Sequence, residues 1–186
     1  MFTYFYEMLN FNAMLRCVSV FLTLCSIFIS TSLEASEPIT DANIDDAVAL
    51  WISDENSATE TYGDISAWDV SLVTDMSELF SSASDFNDDI GNWNVSAVTN
   101  MSSMFENTSA FNQDIGNWNV SAVTNMSYMF NYADAFNQEI GNWIVSSVTD
   151  MDGMFLFASV FNQDIGNWIV SSVTSMSFMF YEAGAF

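Results

Sequence analysis

Phe111–Phe130 reads FNQDIGNWNVSAVTNMSYMF, and close copies of it recur along the chain with a period of 25 residues and no slippage. Trp68, Trp93, Trp118, Trp143 and Trp168 form one series, and Phe86, Phe111, Phe136, Phe161 and Phe186 a second. Met76, Met101, Met126, Met151 and Met176 form a third, and Phe80, Phe105, Phe130, Phe155 and Phe180 a fourth. A fixed period between about 20 and 50 residues marks a stacked array in which each unit covers its neighbour's apolar face.

Within one unit, Ile115-Gly-Asn-Trp118-Asn-Val120 spaces its large apolar residues as the strand of a leucine-rich repeat does. Trp118 and Val120 share a face by strand alternation, and Gly116 gives the bend that brings Ile115 to the same side. Met126, Met129 and Phe130 then fall at i, i+3 and i+4, which predicts a short helix capped by Thr124 or Asn125. Ala133 and Phe136 return the chain to the next strand. The expected fold is therefore an α/β repeat, a leucine-rich-repeat-like solenoid with one short parallel strand and one short helix per unit. About five units occupy 63–186.

The array is preceded by an expected N-terminal capping helix and link over 36–62. Ile44, Ala47, Val48 and Trp51 make one apolar stripe, Asp45 and Asp46 sit in the first turn, and Thr40 or Asp41 supplies the cap. Residues 53–62 read as a polar link. Residues 1–35 read as a signal peptide or, uncleaved, a membrane anchor: Arg16 precedes the apolar run Val18–Ile29, followed by Ser30, Thr31, Ser32 and Ala35. Met14 is an alternative start to Met1. At the other end, Phe186 falls where the next FNQDIGNW would begin, so the array reads as truncated, or else its last unit stands open.

Charge is one-sided. There is one basic residue, Arg16, against 24 acidic ones, of which only Glu7 and Glu34 precede Ser36. A surface without cations repels phosphate, which excludes nucleic acid as a partner and leaves a membrane only the N-terminal segment. Cys17 and Cys25 both lie in that segment and there is no His. Beyond it, disulfides, thiolate catalysis and Cys- or His-ligated zinc are excluded. Asp88 and Asp89 are paired carboxylates in an exposed turn with no pocket implied, so no enzyme is expected and no catalytic residue is assigned.

Read together, VTNMSxMF, a five-residue gap and FNQDIGNWNVS resemble the repeat of the BspA-like leucine-rich-repeat surface proteins. Ala47-Val48, Trp51 and Tyr62-Gly63 resemble the segment that often precedes it. The resemblance spans about residues 40–186. It implies a secreted or cell-surface protein that acts as a non-catalytic binding or adhesion module, with an unidentified protein or glycan as partner. The alternative is a structural spacer or envelope element without a specific ligand.

The columns supply the candidate sites. The Trp, Met and Phe columns read as core. On the exposed strand face, Asn92, Asn117, Asn142 and Asn167 stand in one column and Ser96, Ser121, Ser146 and Ser171 in another. Between them runs Asp69, Asn94, Asn119, Ile144 and Ile169, which turns apolar toward the C-terminus. Asn117, Asn119, Asn142, Ile144, Asn167 and Ile169 are the candidate ligand-binding set, against the plainer alternative of repeat drift. Asp64, Asp89, Asp114, Glu139 and Asp164 form an acidic column. Like charges in register repel, so splayed side chains, turn amides or bound cations must relieve them. The last option is a calcium or sodium ladder helped by the amide oxygens of Asn112, Gln113 or Asn137. Sequons stand at Asn94, Asn100, Asn107, Asn119 and Asn125, which a eukaryotic host would glycosylate.

With no base to pair its carboxylates, the array should gain stability from salt. Raising ionic strength from about 0.01 to about 1 M shortens the screening length from about 30 to about 3 Å. The melting temperature should rise across that range, and a flat dependence would show the carboxylates to be too dispersed to repel.

Overall fold

A computed structural model describes residues 38–186; the signal-segment expectation for 1–35, with Arg16, Cys17 and Cys25, lies outside them. The 25-residue units stack, but not as strand–helix units. From Gly63 onward there is no α-helix, and among the described residues no strand forms. Parallel pairing is confined to single-residue bridges linking Asp75, Asn100, Asn125, Asp150 and Ser175 in sequence. The expected leucine-rich-repeat-like solenoid is therefore replaced by a pile of flat coils built almost wholly from turns.

The reason is visible in the backbone hydrogen bonds. In the predicted helix, the amides of Met129, Asn131, Ala133 and Phe136 donate three residues back, at 3.1–3.3 Å. The intervening amides of Met126, Tyr128, Phe130 and Tyr132 leave the coil. They donate to the carbonyls of Asp150, Asp152, Met154 and Leu156 in the next coil at 2.8–2.9 Å. A helix capped at Thr124 or Asn125 would have kept the Phe130 and Tyr132 amides inside, donating four residues back. Instead Tyr128 and Tyr132 take φ of 57° and 55°, which breaks the helical run at each step.

Layer thickness enforces this. Equivalent rings are stacked face to face, Phe105 on Phe130 with centroids 5.6 Å apart and Phe130 on Phe155 at 5.5 Å. Across the core the Trp column has similar spacing, Trp68–Trp93 at 6.2 Å and Trp143–Trp168 at 6.5 Å. A helix with its side chains is about 10 Å across, so it does not fit a layer of this thickness. The predicted strand fails for a related reason. Turns closed by Trp118 onto Ile115 and by Val123 onto Val120 fold DIGNWNVSAV tightly within its layer.

Each interior layer buries the same set, whereas the last one leaves Val170 and Met176 40% and 42% exposed. In the central one Phe111, Ile115, Trp118, Val120, Val123 and Met126 are at most 4% exposed. Within a layer Phe130 stacks on Phe136 at 4.0 Å, and the pair repeats as Phe105–Phe111 and Phe155–Phe161. The Trp indole also crosses between layers: Nε1 of Trp93, Trp118, Trp143 and Trp168 donates to the carbonyl of Ile65, Ile90, Ile115 and Ile140, at 2.8–3.2 Å. A buried Trp N–H needs a partner, and the preceding coil supplies it.

Helix α1, Ile44–Ser53, covers the N-terminal end. It buries Ile44, Ala47, Val48 and Trp51. Trp51 meets Trp68, head of the Trp column, edge to face at 5.9 Å, and its Nε1 donates to Asp88 Oδ2 at 2.8 Å. The residue at the N-cap of α1 is Asn43, not Thr40 or Asp41. Asp41 instead caps the stack. Its Oδ1 accepts the Thr74 amide at 2.7 Å, and its Oδ2 the Thr74 hydroxyl at 2.7 Å. In later coils the same Thr amide and hydroxyl turn to the preceding Thr carbonyl, as Thr99 does to Thr74. Asp41 thus stands in for a coil that is not there. The supposed link is a second helix, α2, Glu55–Tyr62, started by Asp54, whose Oδ1 accepts the Ser57 amide.

The Thr74 hydroxyl, and then its amide, hold the Asp41 carboxyl below its ordinary 3.8. A depressed folded-state value means that the contribution is present above the unfolded value and lost as pH falls through the folded one. Asp41→Asn should cost about 1 kcal/mol near neutrality, as loss of a helix-cap acceptor does. The gap between wild type and variant should close below about pH 4 in urea melts. A gap independent of pH would separate the cap from its charge.

Candidate functional site

The candidate residues sit on turns, and their side chains divide by what the turn needs. Four members of the acidic column accept their own turn amides: Asp64 from Ser66 at 2.9 Å, Asp89 from Gly91 at 2.9 Å, Asp114 from Gly116 at 3.0 Å and Asp164 from Gly166 at 2.9 Å. The Ser66 hydroxyl, then its amide, hold the Asp64 carboxyl below the usual carboxylate range. At Asp64 the turn thus stabilises the charge. Glu139, one methylene longer, is exposed and makes no such bond among the described residues.

The expected cation ladder is not assembled. Among the described residues no three acidic side chains converge to hold a metal ion. The amides assigned to help it are committed between coils. Oδ1 of Asn87, Asn112 and Asn137 accepts the amide of the next Asn in the column, at 2.8–2.9 Å. Nε2 of Gln113, Gln138 and Gln163 donates to the carbonyl of the same three Asn residues, at 2.7–2.9 Å. The Asn-Gln pair is interlayer glue. Asp88 and Asp89 likewise part company, one going to Trp51 and the other to Gly91.

The column from Asp69 to Ile169 changes function along its length. Asp69, Asn94 and Asn119 each use Oδ1 to accept the amide two residues on, from Ser71 at 3.0 Å, Ser96 at 3.2 Å and Ser121 at 3.2 Å. Asn119 also takes the Ser121 hydroxyl at 2.7 Å. These residues are turn caps, and Asn119 is not a free ligand group. Ile144 and Ile169 give up the cap and stand 60% and 64% exposed. A groove of about 230 Å³ runs between them, walled by Asn142, Trp143 and Asn167. Asn117, Asn142 and Asn167 are exposed, and their side chains make no hydrogen bond among the described residues. The Ser column contributes backbone carbonyls to the contact between coils, Ser121 accepting from Ser147 Oγ and Ser146 from Ser172 Oγ, the residues that follow the column.

A second depression, about 420 Å³, adjoins this one through Asn142 and is lined by Asp114, Asn117, Glu139 and Gln163. The structure therefore brings Asn117, Asn142, Ile144, Asn167 and Ile169 onto one continuous face with the acidic column, and leaves Asn119 as a cap beside it. The face is made of turns, not strands. Such a surface offers carboxylates, primary amides and two apolar side chains. It holds no nucleophile–base pair. Of the sequons, Asn94, Asn107 and Asn119 are exposed, whereas Asn100 and Asn125 are half-buried in the bridge column with Oδ1 accepting from Ser102 and Ser127.

A family model described as "Mycoplasma protein of unknown function, DUF285" matches residues 52–155 and again 114–186. The chain belongs to this family. The two matches together run from the end of α1 through the whole stack. No curated protein and no solved structure matches the chain. Among the described residues no helix is long and apolar enough to cross a membrane.

The glycine column shows how tightly the face is held. A Cβ on Gly116 would strike the Glu139 carbonyl of the next coil, and one on Gly141 the carbonyl of Asp164. A Cβ on Gly166 would meet only Asp164 Oδ1, at 3.1 Å. Gly116→Ala should therefore cost about 1–3 kcal/mol by forcing two layers apart, and Gly166→Ala well under 1 kcal/mol. Equal losses in chemical denaturation would show that the layers do not meet at this column.

Proposed function

We propose that the chain is a secreted or cell-surface repeat protein that binds a protein or glycan, without catalysis, through the face bearing Asn117, Asn142, Ile144, Asn167 and Ile169. The observation that carries this is the exchange of a turn-capping Asx for isoleucine at 144 and 169. Each exchange gives up the hydrogen bond that Asp69, Asn94 and Asn119 make, and it leaves a large apolar side chain in water beside a groove. Neither packing nor turn chemistry asks for isoleucine there. A contiguous exposed apolar spot rimmed by amides and carboxylates has the composition of a contact surface. The export part of the proposal rests on Arg16 and the apolar run Val18–Ile29, and the adhesion part on the likeness of the repeat phrase to BspA-like surface proteins.

The rival, a spacer with no specific ligand, needs the columns but not this face. Ile144→Asn combined with Ile169→Asn restores the residue that Asn94 and Asn119 occupy, so the fold should stay within about 0.5 kcal/mol of wild type. Binding in a screen of immobilised glycans and matrix proteins should fall about tenfold or more, as when interface anchors are truncated. Retained binding by a variant with unchanged melting would favour the spacer.

A further inference from the structure

We propose that a second surface, carried by Tyr128, Tyr132 and Phe157, binds an arginine-bearing segment of a basic polypeptide. The guanidinium lies on the face of Tyr132 that no neighbouring ring covers, with Glu106 as its counter-charge. This surface belongs to the segment of each coil that follows the bridge column, and is independent of the face bearing Ile144 and Ile169.

The placement of these aromatic residues opposes local preference. Ser82, Asn107, Tyr132, Phe157 and Glu182 occupy one column, and all have φ between 55° and 64°. Glu78, Ser103, Tyr128, Gly153 and Phe178 occupy another, with φ between 54° and 60°. This left-handed region suits Gly and Asn and disfavours large side chains. Asn107 and Gly153 show that the favoured residues fit both columns. The core does not call for rings either, since Tyr128 and Tyr132 are 38% and 42% exposed in the interior of the stack. Exposed aromatic residues set where neither backbone nor core wants them are there for something outside the chain.

The rings are also ordered among themselves. Tyr132 lies parallel to Phe157, with centroids 4.4 Å apart and planes 14° apart, and Phe157 meets Tyr181 edge-on at 5.8 Å. Toward the preceding coil the column neighbour of Tyr132 is Asn107, so on that side no ring stacks on Tyr132. Beside Asn107 stands Glu106, whose Oε1 accepts Asn131 Nδ2 at 2.8 Å. Asn131 is 6% exposed, and its buried Oδ1 has no hydrogen-bond partner. A buried amide is costly unless its groups are bonded. The one bond that the Asn131 side chain makes fixes the Glu106 carboxylate.

The chemistry of the partner follows from charge. Among the described residues there is no Lys, Arg or His, so nothing on this chain can occupy an aromatic face beside a carboxylate as a cation. Guanidinium suits that position better than ammonium, because it is planar, stacks on rings and pairs with carboxylate through a fork of donors. The acidic field of the whole stack adds long-range attraction for a basic segment.

The test separates the site from that general field. A short fluorescein-labelled peptide of alternating arginine and alanine is titrated with the full chain, wild type and Tyr132→Asn/Phe157→Asn, by anisotropy at physiological salt. The variant keeps the net charge and takes the residue that Asn107 carries in the same column, and its melting curve reports its folding. We expect affinity to drop about fivefold or more, and Glu106→Gln to weaken binding as well. Equal affinities for wild type and the double variant would assign the attraction to diffuse charge and overturn the proposal. So would binding of the neutral sugar maltohexaose in preference to the peptide. If the double variant does not fold, Glu106→Gln decides alone, with unchanged affinity counting against the site.

Discussion

Everything in this molecule depends on one spacing, that of coils stacked so closely that equivalent rings lie 5.5–6.5 Å apart. At that distance rings stack, and alternate backbone amides find carbonyls in the adjacent layer. Polar side chains likewise bond to the backbone one period away. The spacing also has no slack. It excludes helices, admits only glycine at positions 116 and 141, and limits parallel pairing to single bridges at Asn125 and its equivalents, outside the expected strand. The resulting coils obtain from turns what an ordinary repeat obtains from strands: a partner for nearly every buried amide.

Because each layer satisfies itself in the same way, columns differ in how much freedom they have. Phe130 and Met126 are locked by burial, Gly116 by contact, and Trp118 by burial together with its indole hydrogen bond. The columns through Asn119 and Tyr132 are held by no burial and no contact between layers, only by a turn cap that some members make and others give up, so their side chains are open to change. It is there that the sequence drifts from turn caps to isoleucine and from small polar residues to rings. Surface chemistry on such a scaffold is written in the columns that packing leaves free.

The unbalanced charge is handled locally. Carboxylates accept amides in their own turns, as Asp64 does, or across the cap, as Asp41 does. Such bonds favour the charged form without needing a base. They do not remove long-range repulsion among coils, which falls to ions in solution. An array of this kind presents an acidic surface on which exposed rings and isoleucines stand out as apolar marks.

The 25-residue period, the columns and the apolar stripe of α1 were all legible in the sequence, because in-register repetition and amphipathic spacing are properties of the chain itself. So was the face shared by Asn142, Ile144, Asn167 and Ile169, since residues one period apart must align. The local conformation was not legible. Met126, Met129 and Phe130 have helical spacing, but spacing reports which side chains share an interior and not where the amides between them go. That is decided only when a second coil arrives at a fixed distance and takes those amides. The same holds for Asp41, whose partner Thr74 lies 33 residues away, and for the Asn-Gln pairs, whose Asn Oδ1 and Gln Nε2 bond to the neighbouring layer. Sequence determined what repeats and what is buried; the layer spacing decided the backbone.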